Sequence, residues 1–175
     1  MAQKGNSFSW GKLKVEQVTT PLADDVQSVS NGNALAILFN KASFDFQGPT
    51  SPNAFTWVTS LSVPFKIEGK SKSLYFHEVL RGLVAKDKDS RIVLVFDLGG
   101  ELHVQKYDYG STVDEDLFIE SIFRAKAYET SIYNVTILIA IERQALNSMA
   151  FVEIASLDVE ASDKKPQSNR KIKRD

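Results

Sequence analysis

The sequence predicts an all-β protein, an antiparallel β-sandwich or jelly roll with at most one short helix. Three observations predict it. In residues 56–68 the odd positions Trp57, Thr59, Leu61, Val63, Phe65 and Ile67 alternate with Ser60, Ser62, Pro64, Lys66 and Glu68. Side chains alternate across a strand, so one row enters a core and the other stays near water. Strand-sized apolar runs recur along the chain between turn residues, and the helix-sized spacers of a βαβ unit are missing.

The elements follow in order. Residues 1–25 are polar and punctuated by Pro21, with weak alternation through Leu13, Val15 and Val18. They form an N-terminal arm that either adds one edge strand or is a loosely ordered terminus. The sandwich domain is expected over residues 26–160. Asn31-Gly32-Asn33 turns the chain into an apolar run whose Leu35, Ile37 and Phe39 share one face while Leu38 takes the other. That pattern suits a central strand, and Phe44 and Phe46 continue it. Gly48-Pro49-Thr50-Ser51-Pro52-Asn53 then breaks the chain. Pro64 cannot donate to a ladder, which places its strand at or near a sheet edge, or at a bulge.

Gly82 interrupts the next apolar run and marks a bulge or a close backbone contact. Ile92-Val93-Leu94-Val95-Phe96 is a second buried strand, and Asp97-Leu98-Gly99-Gly100 closes a hairpin onto residues 101–107. Leu102 and Val104 share one face of that return strand, inward or outward. Residues 112–128 carry conflicting signals. Thr112 with Glu115 resembles a capping box, and Asp114, Glu115 and Asp116 suit a helix start. Leu117, Ile119, Phe123, Ala125 and Ala127 fit a period of two, so helix and strand both stand. Val135, Ile137, Ile139 and Ile141 form a buried strand, and residues 149–159 pair back. Residues 161–175 are a disordered basic tail.

At 175 residues the chain supports one domain with a sizeable core. It contains no cysteine, which removes disulfides, thiolate nucleophiles and cysteine-ligated metals. The opening residues lack the apolar core of a signal peptide, and no run reaches the length of a transmembrane helix. A cytoplasmic location is the expectation, although a mature extracellular form with its signal removed would read the same. From Asp163 onward, Lys164, Lys165, Arg170, Lys171, Lys173 and Arg174 face Asp163 and Asp175, a net +4 that leaves −5 on the rest of a chain totalling −1. An acidic body is a poor nucleic-acid surface, so only the tail is a candidate for a polyanion.

The order of Asn33-Ala34-Leu35-Ala36-Ile37-Leu38-Phe39, Phe44-Asp45-Phe46-Gln47-Gly48, Leu61-Ser62-Val63-Pro64-Phe65, Arg81-Gly82, Asn134-Val135-Thr136-Ile137-Leu138-Ile139 and Ala155-Ser156-Leu157-Asp158 resembles a family of small, mostly secreted microbial β-proteins known only as a domain of unknown function. The likeness spans roughly residues 26–159. Members typically carry a signal peptide and paired cysteines, which this sequence lacks. The resemblance implies a β-sandwich and supplies no active site.

Residues that carry chemistry are few. Gly69-Lys70-Ser71-Lys72 invites comparison with a phosphate loop, but Pro64 stands where the motif needs glycine, and a strand-like run follows instead of a helix. A metal site on His77 and His103 requires the two to meet across a sheet beside a carboxylate. Asp108, Asp114, Glu115 and Asp116 form an acidic cluster without the spacing of an EF-hand. No Gly-x-Ser-x-Gly elbow occurs, and no cofactor is implied. Trp10, Trp57, Tyr75, Tyr107 and Tyr109 would make a sugar platform if several shared an exposed face. Trp57 sits in a core row, so Tyr107-Asp108-Tyr109 is the best ligand-binding candidate.

The expected function is non-enzymatic: a β-sandwich acting through protein–protein contacts, with a protein partner or a second copy of itself. The ground is the shortage of catalytic groups beside many apolar strands whose edges must be paired or guarded. The alternative is a carbohydrate-binding module using loop aromatics and acidic residues.

Overall fold

The computed structural model of the chain describes residues 7–18, 26–40, 42–68, 73–126 and 130–166. Among these, twelve strands follow one another: β1 (Ser7–Trp10), β2 (Lys14–Val18), β3 (Val26–Asn31), β4 (Ala34–Phe39), β5 (Ser43–Phe46), β6 (Ala54–Glu68), β7 (Ser73–Lys86), β8 (Ser90–Leu98), β9 (Glu101–Tyr107), β10 (Val113–Lys126), β11 (Thr130–Arg143) and β12 (Ala150–Ser162). No helix occurs among the described residues, and the strands form two six-stranded antiparallel sheets. The first sheet runs β1-β6-β11-β8-β9, with β2 following β1 along the same edge of β6. The second runs β10-β7-β12-β4-β3, with β5 in line with β4 along β12. The sheets close face to face over one core, a β-sandwich.

The odd row of β6 is buried as its alternation requires, from Trp57 to Ile67. Pro64 lies one strand in from the edge, opposite the break between β1 and β2. Its carbonyl accepts the Gly11 N–H at 2.6 Å. The nitrogen of the same residue points to that side too, where no ladder bond is lost. The N-terminal arm therefore contributes two short strands, one either side of the proline, rather than one.

Gly82 faces a bulge, since the register of β12 on β7 shifts between Ile154 and Ser156. A Cβ at Gly82 would lie 2.0 Å from the Glu153 carbonyl oxygen, so glycine alone admits this approach. Gly99 and Gly100 have φ of 57° and 101°, the two left-handed centres of a tight hairpin turn. Beyond it Leu102 and Val104 point outward, 67% and 47% exposed.

Residues 113–126 are a strand, paired with β7 along the whole of β10. The acidic start that resembled a helix cap is the exposed beginning of this edge strand. Leu117 and Ile119 are buried, and Phe123 and Ala125 pack against the core from the same row. Residues 127 and 128, and the Gly69–Lys72 stretch, lie outside the described residues.

The core is a continuous apolar layer with an aromatic cluster near each end. Phe44, Phe46, Phe55 and Trp57 meet at ring distances of 4.9–5.3 Å. At the other end Phe76 stacks on Phe123 at 5.1 Å and on Tyr133 at 5.8 Å, with Trp10 and Phe65 beside them.

Candidate functional site

The outer face of the second sheet carries a groove of about 410 Å³. Four strands build it, and their register explains its form. One cross-strand row reads Val29, Ala36, Asp158, Val79 and Glu120; the next reads Asn31, Ala34, Glu160, His77 and Ile122. The first two outward positions of β4, Ala34 and Ala36, are alanines, flanked by longer side chains on β3 and β12 and followed by the exposed Leu38. A strand of small residues between taller neighbours leaves a trough, with Val29, Ala34, Ala36 and Val79 as an aliphatic floor.

The polar groups along the trough are held in place. Asn33, in the β3–β4 turn, donates from Nδ2 to Glu160 Oε1 at 3.2 Å and to the Ala161 carbonyl at 2.9 Å. Its own carbonyl accepts the Ala161 N–H at 2.9 Å, so the turn is pinned to β12 and fixes the Glu160 side chain. Arg81 pairs with Asp158 from the adjoining strand. His77 Nε2 lies 2.9 Å from Glu120 Oε1, on the far side from the alanines. Next along β7, Tyr75 lies under the Arg124 guanidinium at 5.9 Å. The site thus offers carboxylate acceptors beside an aliphatic surface, open to solvent.

The residues singled out in the sequence fall elsewhere. Tyr107 faces the core opposite Ile92, is half-buried, and has its hydroxyl pushed up to about 12 by burial and by a hydrogen bond to Glu115. Tyr109 donates to Glu142 Oε2 at 3.2 Å, and Asp108 accepts from Arg91 Nε at 3.1 Å. Tyr107 and Tyr109 therefore do not share an exposed platform: β9 ends at Tyr107, whose ring packs against the core, and Tyr109 lies in the turn beyond it. Trp10 packs against the core and Trp57 is buried, so the five aromatic candidates do not converge.

His77 stands on the outer face of the second sheet and His103 on the inner side of β9 in the first. Among the described residues no three His, Asp or Glu side chains are placed to hold a metal ion. Lys164 and Lys165 are exposed just past β12; Arg170, Lys171, Lys173 and Arg174 lie outside the described residues.

No protein-family model matches the chain, and no curated protein matches it. Among solved structures it is similar to TmCBM61 in complex with β-1,4-galactotriose, at 13% identity and a TM-score of 0.29 over 89% of this chain and 88% of that one. It is also similar to part of the infectious bursal disease virus Gx strain structure, at 14% identity and a TM-score of 0.36 over 85% of this chain and 32% of the viral one. A third likeness is to the CBM36-1 domain of a multidomain xylanase from the hindgut metagenome of Trinervitermes trinervoides, at 14% identity and a TM-score of 0.24 over 88% and 95%.

Asp158, Glu160 and the two alanines were not visible as a site in the sequence. Asp158 and Glu160 share a face of their strand, which was a signal; that the face adjoins Ala34 and Ala36 depends on pairing between distant segments.

Proposed function

We propose that this protein is a non-catalytic binding module whose ligand is a glycan lying across β3, β4, β12 and β7. The observation that supports this reading is an aliphatic floor and fixed carboxylates within two adjacent rows. A sugar ring offers C–H patches on its faces and hydroxyls at its rim. Ala34, Ala36, Val29 and Val79 suit the first; Asp158 and Glu160 as acceptors, with the Asn31 amide as donor, suit the second. Arg81 and Asn33 already restrain the carboxylates, so little side-chain freedom is lost on binding. His77 is engaged by Glu120 and Asp158 by Arg81, an arrangement for positioning rather than for proton transfer.

An aliphatic floor lacks the stacking of an aromatic platform, so affinity for a single ring is expected to be weak. A glycan array followed by calorimetry on the best oligosaccharide tests the reading. Glu160→Ala and Ala36→Phe, the second filling the trough, are each expected to weaken binding about tenfold or more, as loss of a charge-assisted hydrogen bond does. Both positions are outward-facing, so the melting temperature should hold. Silence of the wild-type protein across neutral and charged glycans would refute the proposal.

A further inference from the structure

We propose that the outer face of the first sheet is the contact surface of a twofold homodimer. The register of β11, β8 and β9 lines up Leu138, Val95 and Val104 in one uncharged row. Val93 and Lys106 stand in the row on one side of it, and Asp97 and Leu102 in the row on the other. Val104 and Leu102 are 47% and 67% exposed, and Leu138 and Val95 beside them are half-buried. A contiguous apolar patch of this kind on a soluble domain marks an interaction surface.

A second copy of the chain fits this face by symmetry and by charge. A twofold axis lying in the contact plane along the central row sets Leu138, Val95 and Val104 each against its own counterpart. The same rotation lays the Val93–Lys106 row over the Asp97–Leu102 row of the other copy. Lys106 then stands beside the other copy's Asp97, one strand spacing of about 4.8 Å to the side, and the pair forms twice. Both side chains are exposed in the single chain.

The area is consistent with a weak dimer. Four strands about 4.8 Å apart, β6 beside β11, β8 and β9, over some seven residues rising about 3.4 Å each, project roughly 450 Å². Two such faces remove about 900 Å² from water in projection, more once side-chain relief is counted, near the lower limit of about 1,000 Å² for a specific interface.

Sedimentation velocity on the full chain, from micromolar to millimolar concentration, tests the proposal. A concentration-dependent dimer is expected. Val95→Glu puts two like charges together on the axis and should weaken it tenfold or more. Lys106→Asp should also weaken it, and adding Asp97→Lys to that variant should restore it. Circular dichroism establishes that each variant is folded. A wild-type monomer throughout overturns the proposal, as does a dimer indifferent to Val95→Glu. A dimer that Val95→Glu breaks but the charge swap leaves unchanged overturns the twofold arrangement described.

Discussion

Two regions of the sandwich bury ionisable side chains to the same degree and treat them in opposite ways. At one end Arg143 is only 4% exposed, yet its guanidinium is fully occupied. Nε donates to the Ser148 carbonyl at 2.9 Å, Nη1 to Ser51 at 3.0 Å, and Nη2 to Gly48 and Leu146 at 2.8 Å each. Lys86, also buried, donates to the carbonyls of Asp87 and Ser111. Toward the other end Glu78 is fully buried on the inner face of β7. Its Oε1 accepts from the Tyr133 hydroxyl across the sheets, while Oε2 meets no donor at hydrogen-bond distance among the described residues. Burial raises the Glu78 carboxyl from 4.5 to about 7, against the hydrogen bonds from Tyr133 and Ser121, which hold it down. A buried charge stabilises a fold when its bonding capacity is filled, and costs stability when one atom is left bare.

The largest effect is expected where filling is complete. Arg143→Met keeps the stem but strips the carbonyls of two loops of their shared donor. Breaking a buried charged arrangement of this kind costs about 3–5 kcal/mol. Urea denaturation should show that loss, and Arg143→Lys should recover little, because an ammonium cannot span the same fork of carbonyls. A cost under about 1 kcal/mol, typical of an exposed polar site, would erase the contrast between the two regions.

At Glu78 the sign reverses. Its folded-state value lies above its unfolded value, so its contribution is fully present below about 4.5 and is lost as pH rises through about 7. The shift corresponds to about 3 kcal/mol between the two limits. Glu78→Gln keeps the shape and abolishes the titration. It should be close to neutral at pH 4 and more stable than the wild type by up to about 3 kcal/mol at pH 9, flattening the profile of unfolding free energy against pH. A variant less stable than the wild type at both pH values would show that the carboxylate is better solvated than its burial implies.

The sequence carried the signal for both regions, though not its meaning. Arg143 continues the buried row Val135, Ile137, Ile139, Ile141; Glu78 and Lys86 fall in phase with Leu74, Phe76, Leu80 and Val84. A charged residue in phase with a buried row must find partners, and that much follows from alternation alone. Which partners it finds does not, because the carbonyls around Arg143 belong to loops about ninety positions away or across a turn. The same limit hid the groove. Strands 56–68 and 135–141, the bulge at Gly82 and the Gly99-Gly100 hairpin were legible, since each rests on local periodicity or backbone geometry. Residues 112–128 were not, because an edge strand with an acidic start looks like a capped helix until its pairing with β7 is known.

The smallest effect separates bonding from burial at Glu78. Tyr133 is 2% exposed, and burial together with the Glu78 carboxylate raises its hydroxyl well above its usual value, so it stays a donor across the working range. Tyr133→Phe removes that donor with almost no change in volume. Loss of one buried hydrogen bond to a charged acceptor costs about 1.5–3 kcal/mol where Glu78 is ionised, and less where it is protonated. Because this bond lowers the Glu78 carboxyl, its removal should also move the inflection of the stability profile above about 7. In the Glu78→Gln background the pH dependence of the Tyr133→Phe cost should vanish, leaving only the value of a neutral bond, about 1 kcal/mol. An inflection that stays in place would mean that burial alone sets the titration of Glu78, and that the Tyr133 bond serves only to hold the two sheets in register.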